Sequence, residues 1–142
     1  MMQMVLDNGA LASYQQCHFT PDYWRNYTVI GTRGRIENFG DGPGDFIHVW
    51  NTRSQGGFVE PDVKVEIRDG EGGHGGADPL LIAEFLRFAR EGGATDTSPV
   101  AAREAVAAGV LAAQSLRSGG GTVEVPALPD ELIEYFNNGQ QR

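Results

Sequence analysis

A chain of 142 residues with 40% hydrophobic content has room for one domain with a buried core. Its formal net charge is −8, it has one lysine, and its arginines are spread without a basic run, which argues against a nucleic-acid partner. A single cysteine excludes an internal disulfide. No Cys/His spacing suits zinc, no stretch is apolar enough for a membrane span, and the first residues lack a signal-peptide pattern, so the expectation is a soluble cytoplasmic protein.

In chain order, "QMVLD" reads as a strand running into Asn8-Gly9, a dipeptide suited to a type I′ turn, and "ALASYQQCHF" returns as a second strand. Cys17 is expected half-buried in that strand. The loop "TPDYWRN" combines Asp22, Tyr23, Trp24 and Arg25. Such a mix can grip a polar ligand by stacking and charge, or equally make a packing corner where Trp24 closes the sheet end. Then come "YTVIG", a turn at "TRG", "RIENFG", a glycine loop "DGPGD", "FIHVW", and "VKVEIRD". Short strands joined by tight turns predict an antiparallel sheet. In "FIHVW" the alternation puts Phe46, His48 and Trp50 on one side and Ile47 and Val49 on the other. Both sides are apolar, so a second chain or a further domain is expected as cover, with a closed two-layer fold as the alternative.

Next, "GEGGHG" places glycines at 70, 72 and 75, which satisfies the G-x-G-x-x-G dinucleotide pattern. The context argues against that use. The preceding "VKVEIRD" alternates apolar and charged residues like a strand wet on one face, and no second parallel strand follows the helix. The loop is then either a flexible connection or a device that brings backbone and His74 against a ligand near a helix start. Asp78-Pro79 and Ser98-Pro99 both read as an N-cap followed by proline at the first helical position. Apolar residues at 81, 82, 85, 88 and 89 make the stripe of the first helix. An alanine-rich second helix, a short strand "TVEVP" and a final helix "PDELIEYF" complete an α+β chain, an open antiparallel sheet with helices on one face. The three histidines are far apart, and Ser13, Ser54, Ser98, Ser115 and Ser118 lie in no nucleophile-elbow pattern.

The ordered set "TPDYWRNYTVIGTRGRIENFGD", "GGHGGADPLLIAEFLRF", "TDTSPVAAREAVAAGVLAAQSLRSGG" and "VEVPAL" resembles the C-terminal domain of the glucose–fructose oxidoreductase/inositol dehydrogenase/MocA family of NAD(P)-dependent oxidoreductases. The likeness runs over nearly the whole chain. It implies a partner Rossmann domain that binds NAD or NADP and carries a Glu-Lys-Pro lysine, plus a second domain that supplies one wall of a substrate pocket and an open sheet for assembly. Neither Glu-Lys-Pro nor the family's Asp-x-x-x-His is found here. The expectation is therefore a truncated or isolated C-terminal domain, residues 1–142, that is catalytically inert alone and binds no cofactor or metal itself. The resemblance implies a small polar substrate of sugar or cyclitol type, with His74, Tyr23, Trp24 and Arg25 on the substrate side, and a homo-oligomer formed through the sheet face. A stand-alone α+β ligand-binding module and a pure dimerisation domain are the alternatives.

Overall fold

The computed structural model describes residues 1–53 and 56–140, so Ser54 lies outside the described residues. Two compact units are present, Cys17–Asp78 and Met1–Gln16 with Pro79–Arg142.

The Cys17–Asp78 unit is a four-stranded antiparallel meander: β3 (Thr28–Gly31), β4 (Gly34–Phe39), β5 (Phe46–Trp50) and β6 (Val63–Glu66), hydrogen-bonded in the order β3-β4-β5-β6. Gly34 opens β4 because a Cβ there would sit 2.1 Å from the Trp50 carbonyl oxygen of the next strand. The register pairs Ile36 with Val49, Glu37 with His48 and Ile47 with Val65. Opposite residues share a face. One face therefore carries Arg35, Glu37, Phe39, Phe46, His48, Trp50, Lys64 and Glu66. The other carries Val29, Ile36, Asn38, Ile47, Val49, Val63 and Val65. On the aromatic side the His48 ring stacks on Phe39 at 4.4 Å and Trp50 meets both edge-on, while Phe39 and Phe46 stay exposed. Trp50, 7% exposed, is the one buried large apolar residue among those described.

In the other unit β1 (Met2–Val5) and β2 (Leu11–Tyr14) form a hairpin. Its turn is not type I′. Only Gly9 has positive φ, at 80°, while Gly9 N–H donates to Leu6 O and Asn8 Oδ1 accepts from Ala10 N–H. That is the three-residue loop with a single left-handed glycine. The strand ends at Tyr14, so Cys17 is exposed rather than half-buried in a strand.

Three helices follow: α1 (Ala77–Glu91), α2 (Pro99–Arg117) and α3 (Asp130–Asn137). At α2 the Ser98 side chain accepts from Ala101 N–H with Pro99 at the first helical position, and Gly119, at φ 96°, closes the far end. The expected strand "TVEVP" is absent. It has no ladder partner among the described residues, and side chains hold its neighbourhood instead: Arg103 Nη1 donates to Pro126 O at 2.7 Å and Ser115 Oγ to Gly121 O. Antiparallel strands and separate helices make the chain α+β. Among the described residues no helix is long and apolar enough to cross a membrane.

Candidate functional site

Residues 67–76 link β6 to α1, with a short 3-10 turn over Gly73–Gly76. Their glycines are needed for close approach. A Cβ on Gly70 would meet Gly75 O at 2.0 Å, and one on Gly73 would meet the Asp78 carboxylate at 2.3 Å. Directly after Gly73, His74 takes the left-handed conformation, φ 51° and ψ 44°, which costs an L-residue of order 1 kcal/mol. Its Nδ1 lies 2.9 Å from both carboxylate oxygens of Asp78. The imidazole itself is 84% exposed, so its Nε2 edge is free to meet a ligand.

This corrects the reading of Asp78 as an N-cap. Ala77 already has helical φ/ψ, Asp78 is the second residue of α1, and its carboxylate is engaged by His74. Pro79 sits in the first turn, where its missing N–H has no partner to lose.

The dinucleotide frame is not built here. β6 is an edge strand paired antiparallel to β5, and α1 is followed by α2 with no parallel strand between them. The residues of this loop do not fit a nicotinamide dinucleotide.

The aromatic loop is held by a residue the sequence reading passed over. Asn38, 8% exposed, donates from Nδ2 to Arg25 O at 2.8 Å and to Gly40 O at 2.7 Å, and its Oδ1 accepts from Tyr27 N–H. Asn26 Nδ2 donates back to Asn38 O. On that staple Arg25 lies over the Tyr23 ring, 4.7 Å from its centroid, and Tyr23 and Trp24 stay 72% and 61% exposed. Trp24 is thus no packing corner within this unit. The structure brings Tyr23 and Arg25 together and His74 and Asp78 together. Among the described residues no hydrogen bond, ion pair or ring contact joins the two groups. Nor does any group of three or more His, Cys, Asp or Glu stand where it could hold a metal ion.

Compared with known proteins, residues 1–125 match the family described as "Oxidoreductase family, C-terminal alpha/beta domain", the Gfo/Idh/MocA C-terminal domain. Over 83 residues the chain is 35% identical to the Putative oxidoreductase YteT of Bacillus subtilis (strain 168), an alignment covering 56% of this chain and 19% of that protein. This chain therefore spans about a fifth of that relative's length. No solved structure matches it. With a match over residues 1–125, the antiparallel sheet and the helices after it, the chain belongs to the Gfo/Idh/MocA oxidoreductase family through that family's C-terminal alpha/beta domain.

Proposed function

We propose that this chain is the substrate-side and assembly domain of an NAD(P)-dependent dehydrogenase acting on a sugar or cyclitol, with the nicotinamide cofactor and catalytic lysine on a Rossmann domain. The observation that carries the reading is His74. It is a strained, exposed imidazole, fixed at Nδ1 by Asp78 and surrounded by glycines that leave room for a ligand. A carboxylate accepting from Nδ1–H leaves Nε2 as the acceptor, suited to a substrate hydroxyl whose proton must be held while hydride leaves the same carbon. Tyr23, Trp24 and Arg25 supply exposed stacking surface and charge for a polar ring. Alone the chain is inert, because its one lysine, Lys64, lies on β6 in an ion pair with Glu60 and its glycine loop lacks a dinucleotide frame.

Assembly belongs to the same proposal. On the aromatic face the rings of Phe39, His48 and Trp50 contact one another, though Phe39 and Phe46 stay exposed, and on the aliphatic face Val29, Val63 and Val65 are exposed within the unit. A homo-oligomer through the aliphatic face would cover it. Val65→Glu then lowers the mass seen by light scattering, and an unchanged mass refutes this interface. A cytoplasmic location accompanies the reading, in keeping with one exposed, unpaired cysteine.

The test is turnover by the native protein that carries this segment, assayed for NAD+ and NADP+ reduction with a panel of sugars and cyclitols. His74→Ala lowers kcat/KM about ten-fold or more, roughly 1.4 kcal/mol of transition-state binding, at unchanged Tm. Turnover unaffected by that change removes His74 from the site. No reduction of either nucleotide across the panel overturns the dehydrogenase reading.

A further inference from the structure

Three arginines that the sequence scatters converge in the fold. Arg33 stands at the β3–β4 turn, Arg35 on β4, and Arg53 just past β5, and together they line one cleft of about 880 Å3 with Trp50, Phe58 and Thr52. Among the described residues no aspartate or glutamate lines it. We infer that this cleft is a binding site for a small oxyanion, the phosphate or carboxylate of a sugar-sized ligand.

The walls of the cleft are fixed. The Trp50 indole N–H donates to Val59 O at 2.8 Å, tying the β5–β6 connection to the sheet, and Asp62 Oδ2 accepts from the Asn51 and Thr52 amides. The Arg35 guanidinium lies 3.9 Å from the Trp50 ring centroid. Stacking occupies the face of that planar group and leaves its N–H edge for an in-plane acceptor. Glu37 is 3.6 Å from Nε, so it partly neutralises Arg35 without covering both Nη groups. Arg33 and Arg53 make no ion pair among the described residues. The lining thus offers two guanidiniums with no ion pair among the described residues and one oriented by stacking, a group type suited to bidentate bonds with phosphate or carboxylate.

The chain's net charge of −8 opposes anions at long range. At physiological salt, however, charges beyond about 8 Å are largely screened, so the local trio sets the sign that a bound anion meets. Phe58, exposed, adds apolar surface beside the charges, which favours an anion carried on a ring over a bare one. This site shares no residue with residues 70–78, so it does not depend on the dehydrogenase reading.

The experiment is a titration of the chain followed by NMR at constant ionic strength, reading the Trp50 indole N–H and the Arg Nε–H signals. The probes are inorganic phosphate, glucose 6-phosphate, glucuronate and neutral glucose. Saturable shifts are expected with the anions and none with glucose. Arg33→Gln and Arg53→Gln, both at exposed positions, each raise the Kd about five-fold or more while leaving the remaining spectrum in place. Glucose 6-phosphate binding tighter than inorganic phosphate supports a ring-borne phosphate, and glucuronate binding tightest supports a sugar acid. Shifts that equal those of a matched chloride titration, or that survive both substitutions, overturn the site.

Discussion

Both carboxylate oxygens of Asp78 lie 2.9 Å from His74 Nδ1, four residues earlier and across the junction between the 3-10 turn and α1. An ionised carboxylate can only accept, so neutral His74 must carry its proton on Nδ1. We predict that nitrogen-15 shifts of neutral His74 report the Nδ1–H tautomer as dominant. Asp78→Asn, whose amide can donate to Nδ1, shifts the population toward Nε2–H, and Asp78→Glu restores part of the original preference. An equal mixture of tautomers in the unaltered chain would refute the pairing. Stability changes little in Asp78→Asn, about 0.5 kcal/mol, because what is lost beyond the pair is one favourable charge in the first turn of a helix.

The glycines beside this pair act through space, and Gly70 and Gly73 are not equivalent. At Gly73 an added Cβ meets the end of the Asp78 side chain, which can rotate away. At Gly70 it meets the Gly75 backbone, which cannot move without unmaking the turn. Gly73→Ala is therefore predicted to keep the fold but break the His74–Asp78 contact, seen as a change in the His74 ring shifts. Gly70→Ala should lower Tm and disturb resonances throughout residues 70–78. Equal effects of the two substitutions on Tm would contradict this.

How much of this was legible in the sequence depends on how local the determining contacts are. "FIHVW" became β5 at Phe46–Trp50, since its alternation and the glycine loop before it are local signals. The Ser98-Pro99 start of α2 is equally local. Asp78-Pro79 carries the same signature and misled, because Ala77 was already helical and the carboxylate found a better partner in His74. "TVEVP" alternates like a strand, but a strand needs a neighbour. Arg33, Arg35 and Arg53 looked dispersed because only the register that sets Arg35 opposite Trp50 brings them together. The Asn38 staple was invisible for a similar reason, since its partners are backbone groups up to 13 residues away.

That staple yields a third prediction. Asn38→Ala leaves the Arg25 and Gly40 carbonyls and the Tyr27 amide without their partner in a part-buried setting. The expected cost is about 2 kcal/mol, read as a lower urea midpoint, with faster proteolysis in residues 20–27. Asn38→Asp should cost more, because it keeps the acceptor for Tyr27 but turns two donors into a charge facing carbonyl oxygens. If Asn38→Asp proves as stable as the unaltered chain, the assigned amide orientation is wrong.

The last prediction concerns the end of α1. Arg87 grips Glu84 with two parallel bonds of 2.7 Å, from Nε and Nη2, and reaches on to Gly92 O and Ala94 O, so one side chain ties the helix to the loop after it. The hydrogen bonds from Arg87 hold the Glu84 carboxyl below its ordinary value of 4.5; partial burial opposes them, and the Asp96 amide adds to the lowering. The same pairing raises the Arg87 value, so the guanidinium stays charged throughout the range of interest. A carboxyl whose folded value is lowered releases its proton more readily in the folded state. Its contribution to stability is therefore complete above pH 4.5 and is lost as the pH falls through the lower folded value. We predict that Glu84→Gln reduces the urea midpoint most near neutrality, and that the gap from the unaltered chain narrows progressively below pH 4.5. Arg87→Gln should flatten the same part of the pH profile and also loosen the loop after α1, because it removes the bonds to both carbonyls. A gap for Glu84→Gln that stays constant down to strongly acid pH would mean that the fork contributes through shape alone and that its charge is irrelevant to stability.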